Sequence, residues 1–391
     1  MKKICMVCQS YYLRDPRVRR EAEALADAGF MVDVIALRDK KEKRSETVNG
    51  VHIYRLPIMR KRGGIIRYLF EYFFFFILSS LLLTCLFIKK HYRLIQVHTM
   101  PDFLVFCSLV PKIFRAKIIL DVHEPMPELF MSKYGLKKDN FFIKILRIQE
   151  KISFAFSDHI ITIHEPLKEL FIKRNKISEK KVSIVLNIPD SRIFSTGNKK
   201  KIKIKDNDFV LIYTGTVAER YGLDIAIRGV SFLRNKIPGL KFMIIGEGEH
   251  LPYVKELVLK LNLEKYIEFY DPVPIDRIPD FTAKADLGIS THKQDSFWDL
   301  YFSTKIVEFL ISDLPVISSR TRTIQYYFGE DNLFYFTPEN EEEFAEEVLM
   351  VYKEPSLAKK KVENARKNIS RNLNWDKEKD KYTALIRSFA G

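Results

Sequence analysis

Short apolar, β-branched runs alternate with helical stretches through the first half of the chain. The runs Lys3–Cys8, Val32–Ala36, Val51–Leu56, Leu94–His98, Lys117–Asp121, His159–Ile163 and Val182–Leu186 predict strands. Helices are expected over Pro16–Ala28, which Gly29 stops, and over Asp102–Ile113 and Phe141–Ser157. Strands that are apolar nearly throughout and separated by helices imply a parallel sheet covered on both faces. The pattern restarts after the charged stretch Thr196-Gly197-Asn198-Lys199-Lys200-Lys201, which reads as a linker. Further strands are expected at Phe209–Thr214, Lys241–Ile245, Ile267–Tyr270, Leu287–Ser290 and Val316–Ser318, with helices over Leu223–Asn235 and Leu251–Leu261. The fold class is therefore α/β: two Rossmann-like, doubly wound domains over residues 1–195 and 206–373, facing a central cleft. An amphipathic helix within 374–391 is expected to pack back on the first domain.

One segment departs from this pattern. Tyr68 to Ile88 is apolar almost throughout and includes Phe73-Phe74-Phe75-Phe76 and Leu81-Leu82-Leu83. A helix of about twenty apolar residues reaches across a bilayer. Both shoulders are basic, however: Arg60, Lys61, Arg62 and Arg67 on one side, Lys89, Lys90, His91 and Arg93 on the other. Spanning normally leaves the positive charge on one side, and Glu71 inside the stretch is costly in lipid. The segment also lies between strands of one domain. It reads as an interfacial helix, part buried in the domain and part in the membrane surface, with its basic shoulders on anionic head groups. A wholly internal core helix and a true span are the alternatives.

With 391 residues the chain can build two cores. Its net charge of +15 calls for an anionic partner: nucleic acid, a lipid surface or a phosphorylated substrate. The charge is dispersed and no recognition motif occurs, so no nucleic-acid partner is expected. Cys5-x-x-Cys8 sits inside an apolar run and reads as strand packing; no second Cys/His pair has zinc-ligand spacing, and no metal site is expected. The four cysteines suit a reducing compartment. Too few apolar residues follow Met1-Lys2-Lys3 for a signal peptide, so a cytoplasmic location is expected.

The candidate chemistry clusters at strand ends. Ser303-Thr304-Lys305-Ile306-Val307-Glu308 reads as a short helix entered through a hydroxyl cap, with one acid in its first two turns. Unpaired N–H groups at such an entrance attract phosphate oxygens, and a carboxylate one turn on offers two acceptors to a ribose. An ordinary helix with a dipole-matched acid explains the same residues. Thr214-Gly215-Thr216 ends a strand at a glycine that lets backbone approach a diphosphate, with Arg220 five residues on to neutralise it. Gly246-Glu247-Gly248 is only a truncated dinucleotide fingerprint. Pro272-Val273-Pro274 forms a stiff loop that could hold a base edge. In the first domain Arg17, Arg19 and Arg20 crowd a helix start against its dipole, which suggests phosphate or ion-pair duty. His98 closes one strand and Asp121-Val122-His123-Glu124 the next, offering polar groups to a sugar. Each of these is also open to a plain structural role.

Taken together these motifs resemble the retaining, nucleotide-sugar-dependent family-four glycosyltransferases of GT-B fold. Asp15-x-Arg17-Val18-x-x-Glu21-Ala22, His98-Thr99-Met100-Pro101-Asp102-Phe103-Leu104, Leu120-Asp121-Val122-His123-Glu124, Thr214-Gly215-Thr216 with Gly222-Leu223-Asp224, and Ser303-Thr304-Lys305-x-x-Glu308-Phe309 stand in the family's order. The resemblance implies metal-free, retaining transfer from a UDP- or GDP-sugar, with no further cofactor. It also implies a polyprenyl-diphosphate-linked acceptor of the lipopolysaccharide or capsule type, and a peripheral or monotopic site on the inner face of the plasma membrane. Catalytic roles fall on His123, Arg220 and Lys305. Donor binding falls on Gly215, Thr216, Arg220, Val273, Ser303, Thr304, Lys305 and Glu308. Acceptor or sugar contacts fall on His98, Asp102, Glu124 and Arg17. Two departures stand out. The family's paired acids lie eight residues apart, and here the first place holds Leu300; the basic residue expected directly before Gly222 is Tyr221. An epimerase of the same architecture and a non-catalytic nucleotide-sugar binder are the competing readings.

Overall fold

The computed structural model describes residues 2–59, 65–189, 191–194 and 208–391. The chain divides into two compact units, Met1–Asn187 with Asp376–Gly391, and Ile188–Trp375. The expected linker Thr196–Lys201, the domain edges at 195 and 206, and the basic residues Arg60, Lys61 and Arg62 lie outside the described residues.

Unit 1 is built on an eight-stranded sheet in the order β3-β4-β2-β1-β5-β6-β7-β8. These are β1 (Lys3–Val7), β2 (Met31–Leu37), β3 (Ser45–Val48), β4 (Val51–Leu56), β5 (Leu94–His98), β6 (Lys117–Val122), β7 (His159–Thr162) and β8 (Val182–Ile184). Neighbours are parallel except for β3, which pairs antiparallel with β4. That hairpin was not expected from the pattern, yet Asn49-Gly50 marks it: both residues have positive φ, 49° and 79°. A two-residue turn matched to strand twist needs that conformation, and Asn-Gly adopts it most readily. Helix Pro16–Asp27 begins at Asp15, whose carboxylate accepts from Val18 N–H at 3.2 Å, with proline in the first turn.

Two expected elements differ. Instead of one helix over Asp102–Ile113, a 3₁₀ stretch Asp102–Ser108 leads into a short α-helix, Leu109–Ile113. Pro111 has no N–H to continue an α-ladder there. The last strand stops at Ile184 rather than Leu186, because the Leu186 N–H donates to Glu378 Oε2 at 3.1 Å. Glu378 belongs to the helix Trp375–Ala390, which packs on the sheet of unit 1: Tyr382 donates to Gln96 Oε1 at 2.7 Å, and the Phe389 ring lies tilted 4.8 Å from His159. The apolar segment forms one helix, Ile65–Lys90. By length and composition Phe70–Lys90 could cross a membrane, and 33% of that stretch is buried in the protein.

Unit 2 holds a six-stranded parallel sheet, β11-β10-β9-β12-β13-β14. Its strands are β9 (Phe209–Thr214), β10 (Leu240–Ile245), β11 (Ile267–Tyr270), β12 (Leu287–Ser290), β13 (Val316–Ser319) and β14 (Phe334–Phe336). Phe242, Phe334 and Phe344 anchor its core, each fully buried aromatic worth roughly 1.5–3 kcal/mol relative to exposure. Among the parallel strands of each sheet the chain switches direction at one point: between β1 and β5 in unit 1, between β9 and β12 in unit 2. Connections diverge to opposite faces at such a point and leave a crevice at the carboxyl ends of the strands. Both units have a cavity there.

Candidate functional site

The unit 2 cavity measures 450 Å³. It lies beyond the ends of β9, β10 and β11 and reaches the first turns of helix Thr304–Ile311. Gly215 (φ 124°) and Gly246 (φ 153°) let two loops touch, since a Cβ on Gly246 would stand 1.9 Å from the Gly215 carbonyl oxygen. The Tyr213 hydroxyl donates to the Thr216 carbonyl at 2.7 Å and pins the loop between them. Of the sequence-selected residues, Gly215, Thr216, Val273, Thr304, Lys305 and Glu308 all line this space. Sequence reasoning did not select Tyr221, Tyr301, Ile275 or Ile278, which join them. Their only sequence signal is position: each lies in the connection that follows a strand end.

Lys305 gives the cavity its character. It is buried, and its Nζ has no hydrogen-bond partner among the described residues. The ammonium instead lies 4.0 Å from the centre of the Tyr213 ring and 5.5 Å from that of Tyr221. Burial pushes its pKa down to about 7, and the Glu308 carboxylate only partly offsets this. Ring faces attract a cation but donate no lone pair, so an incoming anion would meet a preorganised, half-satisfied charge.

Three residues stand elsewhere than expected. Ser303 does not cap the helix: its hydroxyl is fully buried and pairs with Ser290 Oγ at 3.1 Å, on the neighbouring strand β12. No side chain therefore accepts from the first amides of Thr304–Ile311 through that residue. Arg220 is not among the cavity-lining residues; it approaches Glu249 at 3.9 Å, and the adjacent Tyr221 faces the cavity instead. Leu300 is buried at the end of the turn Trp298–Leu300. That turn belongs to an aromatic cluster in which Trp298 lies 4.5 Å from His292, 4.9 Å from Tyr221 and 4.8 Å from Tyr301. Where the resemblance implies a sugar-binding acid, the chain has packed rings.

In unit 1 a 280 Å³ cavity opens beyond β1, β5 and β6, lined by Asp15, His98, His123 and Glu124 among others. The fully buried Asp121 carboxylate lies behind two of these lining residues, His98 and His123. Arg17 pairs with Oδ1 at 2.7 Å; Gln96 donates to Oδ2 at 3.1 Å, and His98 Nδ1 lies 3.1 Å from the same oxygen. His98 Nδ1 is also 3.2 Å from His123 Nε2. Arg17 bridges to Glu21 at 3.1 Å, and Gln96 reaches Glu21 at 2.8 Å. Burial raises both carboxyls, but Arg17 and the histidines hold Asp121 well below the usual range. Burial and the Asp121 charge push Glu21 well above it. The pair therefore keeps one negative charge, on Asp121. Burial and Arg17 lower the pKa of His123 despite Asp121, so it is neutral near pH 7. Burial favours a protonated Asp15, yet His123 and hydrogen bonds from Ser10 and Val18 outweigh it and lower its pKa.

The ligand atoms of His98, Asp121 and His123 lie within 4.8 Å of one another, close enough to meet at one cation. Arg17 already neutralises the acid, which weakens the case for a second positive charge there. Two expected contacts move. Arg17 is buried in the ion network and also donates to the Val185 carbonyl at 3.3 Å, so it positions Asp121 rather than facing the cavity. Asp102 is buried away from these lining residues, its pKa pushed up to about 8 by burial and by Glu150.

Residues 17–191 match the family described as Glycosyltransferase Family 4, and residues 195–368 the family described as Glycosyl transferases group 1. An uncharacterised glycosyltransferase of Methanocaldococcus jannaschii is 24% identical over 252 residues. The match spans 60% of this chain and 60% of the length of that relative. Sucrose-phosphate synthase of Thermosynechococcus elongatus has a similar structure, with a TM-score of 0.80 at 16% identity over 99% of both chains. HepE of Anabaena, solved in complex with UDP-glucose, gives a TM-score of 0.72 at 16% identity over 99% of this chain and 100% of its own. At these identities the structural likeness speaks for the fold alone.

Proposed function

The chain belongs to the GT-B glycosyltransferases, and from that premise we propose that it moves a sugar from a nucleotide-diphosphate donor in unit 2 to a lipid-linked acceptor. The observation that carries this reading is the buried Lys305 ammonium with aromatic rings in place of an anion. A diphosphate beside Gly215, Thr216 and the first amides of Thr304–Ile311 supplies that anion. Glu308, one turn further in and also lining the cavity, presents its carboxylate to ribose hydroxyls. Val273, Ile275 and Ile278 form an apolar wall suited to a base. UDP-glucose in the related HepE structure makes UDP-sugars the first donors to test.

In the reaction the bond from the anomeric carbon to the diphosphate oxygen breaks, and the nucleotide leaves with the electron pair. The acceptor oxygen bonds to the same face of that carbon, so configuration is retained, and its proton leaves with the diphosphate. Lys305 and the helix amides stabilise the charge that develops on the leaving group, with no metal required of them. At the unit 1 cavity, neutral His123 is a hydrogen-bonding group for a sugar hydroxyl. The apolar helix Ile65–Lys90 supports a lipid-borne acceptor and a place on the inner membrane surface.

A thermal-shift screen across nucleotide sugars tests the donor site, since the true donor stabilises the fold by mass action. Glu308→Ala should abolish that shift and the transfer of sugar to a native lipid extract. Unchanged transfer from every donor would overturn the site. Conversion of the nucleotide sugar without any acceptor would favour an epimerase instead.

A further inference from the structure

Exposed apolar side chains of unit 1 are concentrated on one group of segments. Along helix Ile65–Lys90 they are Phe70, Phe73, Phe74, Ile77, Leu81 and Ile88, with Phe73 and Phe74 each 54% exposed and Leu81 61%. Along helix Phe141–Phe156 they are Phe141, Ile145, Ile148 and Ile152, with Phe141 78% exposed and Ile148 58%. Steps of three or four residues place each set on one side of its helix, so each helix carries a solvent-facing stripe opposite its buried face.

The two stripes lie on one side of the sheet. The connections β4 to β5, β5 to β6 and β6 to β7 all step the same way across it, and right-handed crossovers put all three on one face. The segment 102–114 lies between the helices: Phe103 meets Phe76 and Phe106 meets Phe156, with ring centres 5.7 and 5.0 Å apart. Beneath them Tyr72 of the first helix shares a core cluster with Ile143 and Leu146 of the second. The intervening segment exposes its own apolar groups, Leu109, Ile113 and Phe114, and Phe114 packs 6.1 Å from Phe87.

The charge around this surface has one dominant sign. Arg67, Lys89, Arg115, Lys137, Lys144 and Lys151 are exposed on these segments. Among the acids, Glu150 is buried against Arg174, Glu71 is paired with Arg67, and Asp139 is exposed in the loop beside the exposed Lys137 and Lys138. A second protein would need matching acidic groups and a complementary shape, whereas an anionic bilayer provides negative charge and an apolar interior along the whole face.

We infer that unit 1 docks on an anionic membrane through two side-by-side helices, with Phe141–Phe156 and the Leu109–Phe114 segment forming a second contact line beside Ile65–Lys90. The inference rests on the membrane-surface reading of the first helix and extends it. A single apolar helix can tilt or roll on a membrane; two fixed stripes hold the unit at a set orientation and depth. The lysines and arginines lay their aliphatic stems along the apolar surface and reach phosphates with their heads.

Co-sedimentation of the full chain with phosphatidylglycerol-containing vesicles and with pure phosphatidylcholine vesicles tests this. Wild-type protein should bind the anionic vesicles about tenfold better, and I145E/I148E/I152E and F73E/F74E should each lose about tenfold in binding. The triple variant replaces solvent-exposed groups, and an unchanged circular-dichroism spectrum and urea-unfolding curve would verify that unit 1 folds. As a second probe, the indole fluorescence introduced by Ile148→Trp should be quenched by brominated lipid. If F73E/F74E fails to bind while I145E/I148E/I152E sediments like wild type and the Ile148→Trp signal is unquenched, the second contact line is wrong and the first-helix reading survives. If wild-type protein binds no vesicle, both fall. A concentration-dependent dimer that the triple variant abolishes, seen by sedimentation velocity without lipid, would assign the face to a second copy and overturn the inference.

Discussion

The two cavities handle buried charge in opposite ways. Beneath the unit 1 cavity, Arg17, Glu21 and Asp121 neutralise one another, and Gln96 and His98 complete the network. In unit 2, Lys305 reaches its cavity with aromatic faces around it and no hydrogen-bond partner among the described residues. A charge balanced from within serves geometry: it holds His98 and His123 in place. A charge left half-balanced serves a ligand, because an arriving anion completes it at little reorganisation cost.

The largest test of this contrast is Glu21→Gln/Asp121→Asn. It removes both acids that face the Arg17 guanidinium, strands that charge in the interior and should destabilise unit 1 by about 3–5 kcal/mol in urea unfolding. A loss of under ~1 kcal/mol would mean that water reaches the network and that it is not closed. Lys305→Met should act in the opposite sense. Transfer should slow by roughly 10²–10³-fold, as when one preorganised donor is removed from a developing oxyanion. The melting temperature should nevertheless rise, since the variant no longer buries an ammonium. A lower melting temperature would show that the Tyr213 and Tyr221 rings already compensate the cation fully.

The pH dependence sharpens the comparison further. Lys305 titrates near 7 in the free protein, below its ordinary 10.5, so the ligand-free fold gains stability as pH rises between those values. A bound diphosphate favours the ammonium. Below pH 7 binding requires no proton; above it binding takes one up, so affinity should fall by up to about tenfold per pH unit. Calorimetry in buffers of different ionisation enthalpy would measure that uptake, and a flat affinity from pH 6.5 to 8.5 would remove Lys305 from the diphosphate site. The smallest effect belongs to Tyr382→Phe, which removes the hydroxyl donated to Gln96. It should cost about 0.5–1.5 kcal/mol of stability and leave donor affinity unchanged.

Much of this architecture is legible in the chain. The strand series and its restart show in apolar periodicity because parallel strands are buried on both faces. Lys305 and Glu308 could be placed because both lie on one short helix after a strand. What escaped depends on partners distant in sequence. Ser303 looks like a helix cap from its neighbours, but the Ser290 hydroxyl competes for it across a strand pair. Arg17 reads as a ligand contact until Asp121, 104 positions later, claims it. Arg220 and Tyr221 are adjacent on a tight turn, and only the path of the backbone decides which one faces the cavity. Two misses do have a local signal: the β3–β4 hairpin in Asn49-Gly50, and the break in the helix expected over Asp102–Ile113 in Pro111.

The hydroxyl that closes the polar network of unit 1 comes from Tyr382, 286 positions after its partner Gln96. Unit 2 is continuous in sequence and lies wholly between them. On a ribosome adding about 5–20 residues per second, Gln96 therefore waits roughly 15–60 seconds for that hydroxyl. During that interval unit 2 can complete its own core while the first sheet still lacks its last helix. The nascent chain thus finishes its domains in the reverse of the order in which it starts them, and unit 1 is the part most in need of protection during synthesis.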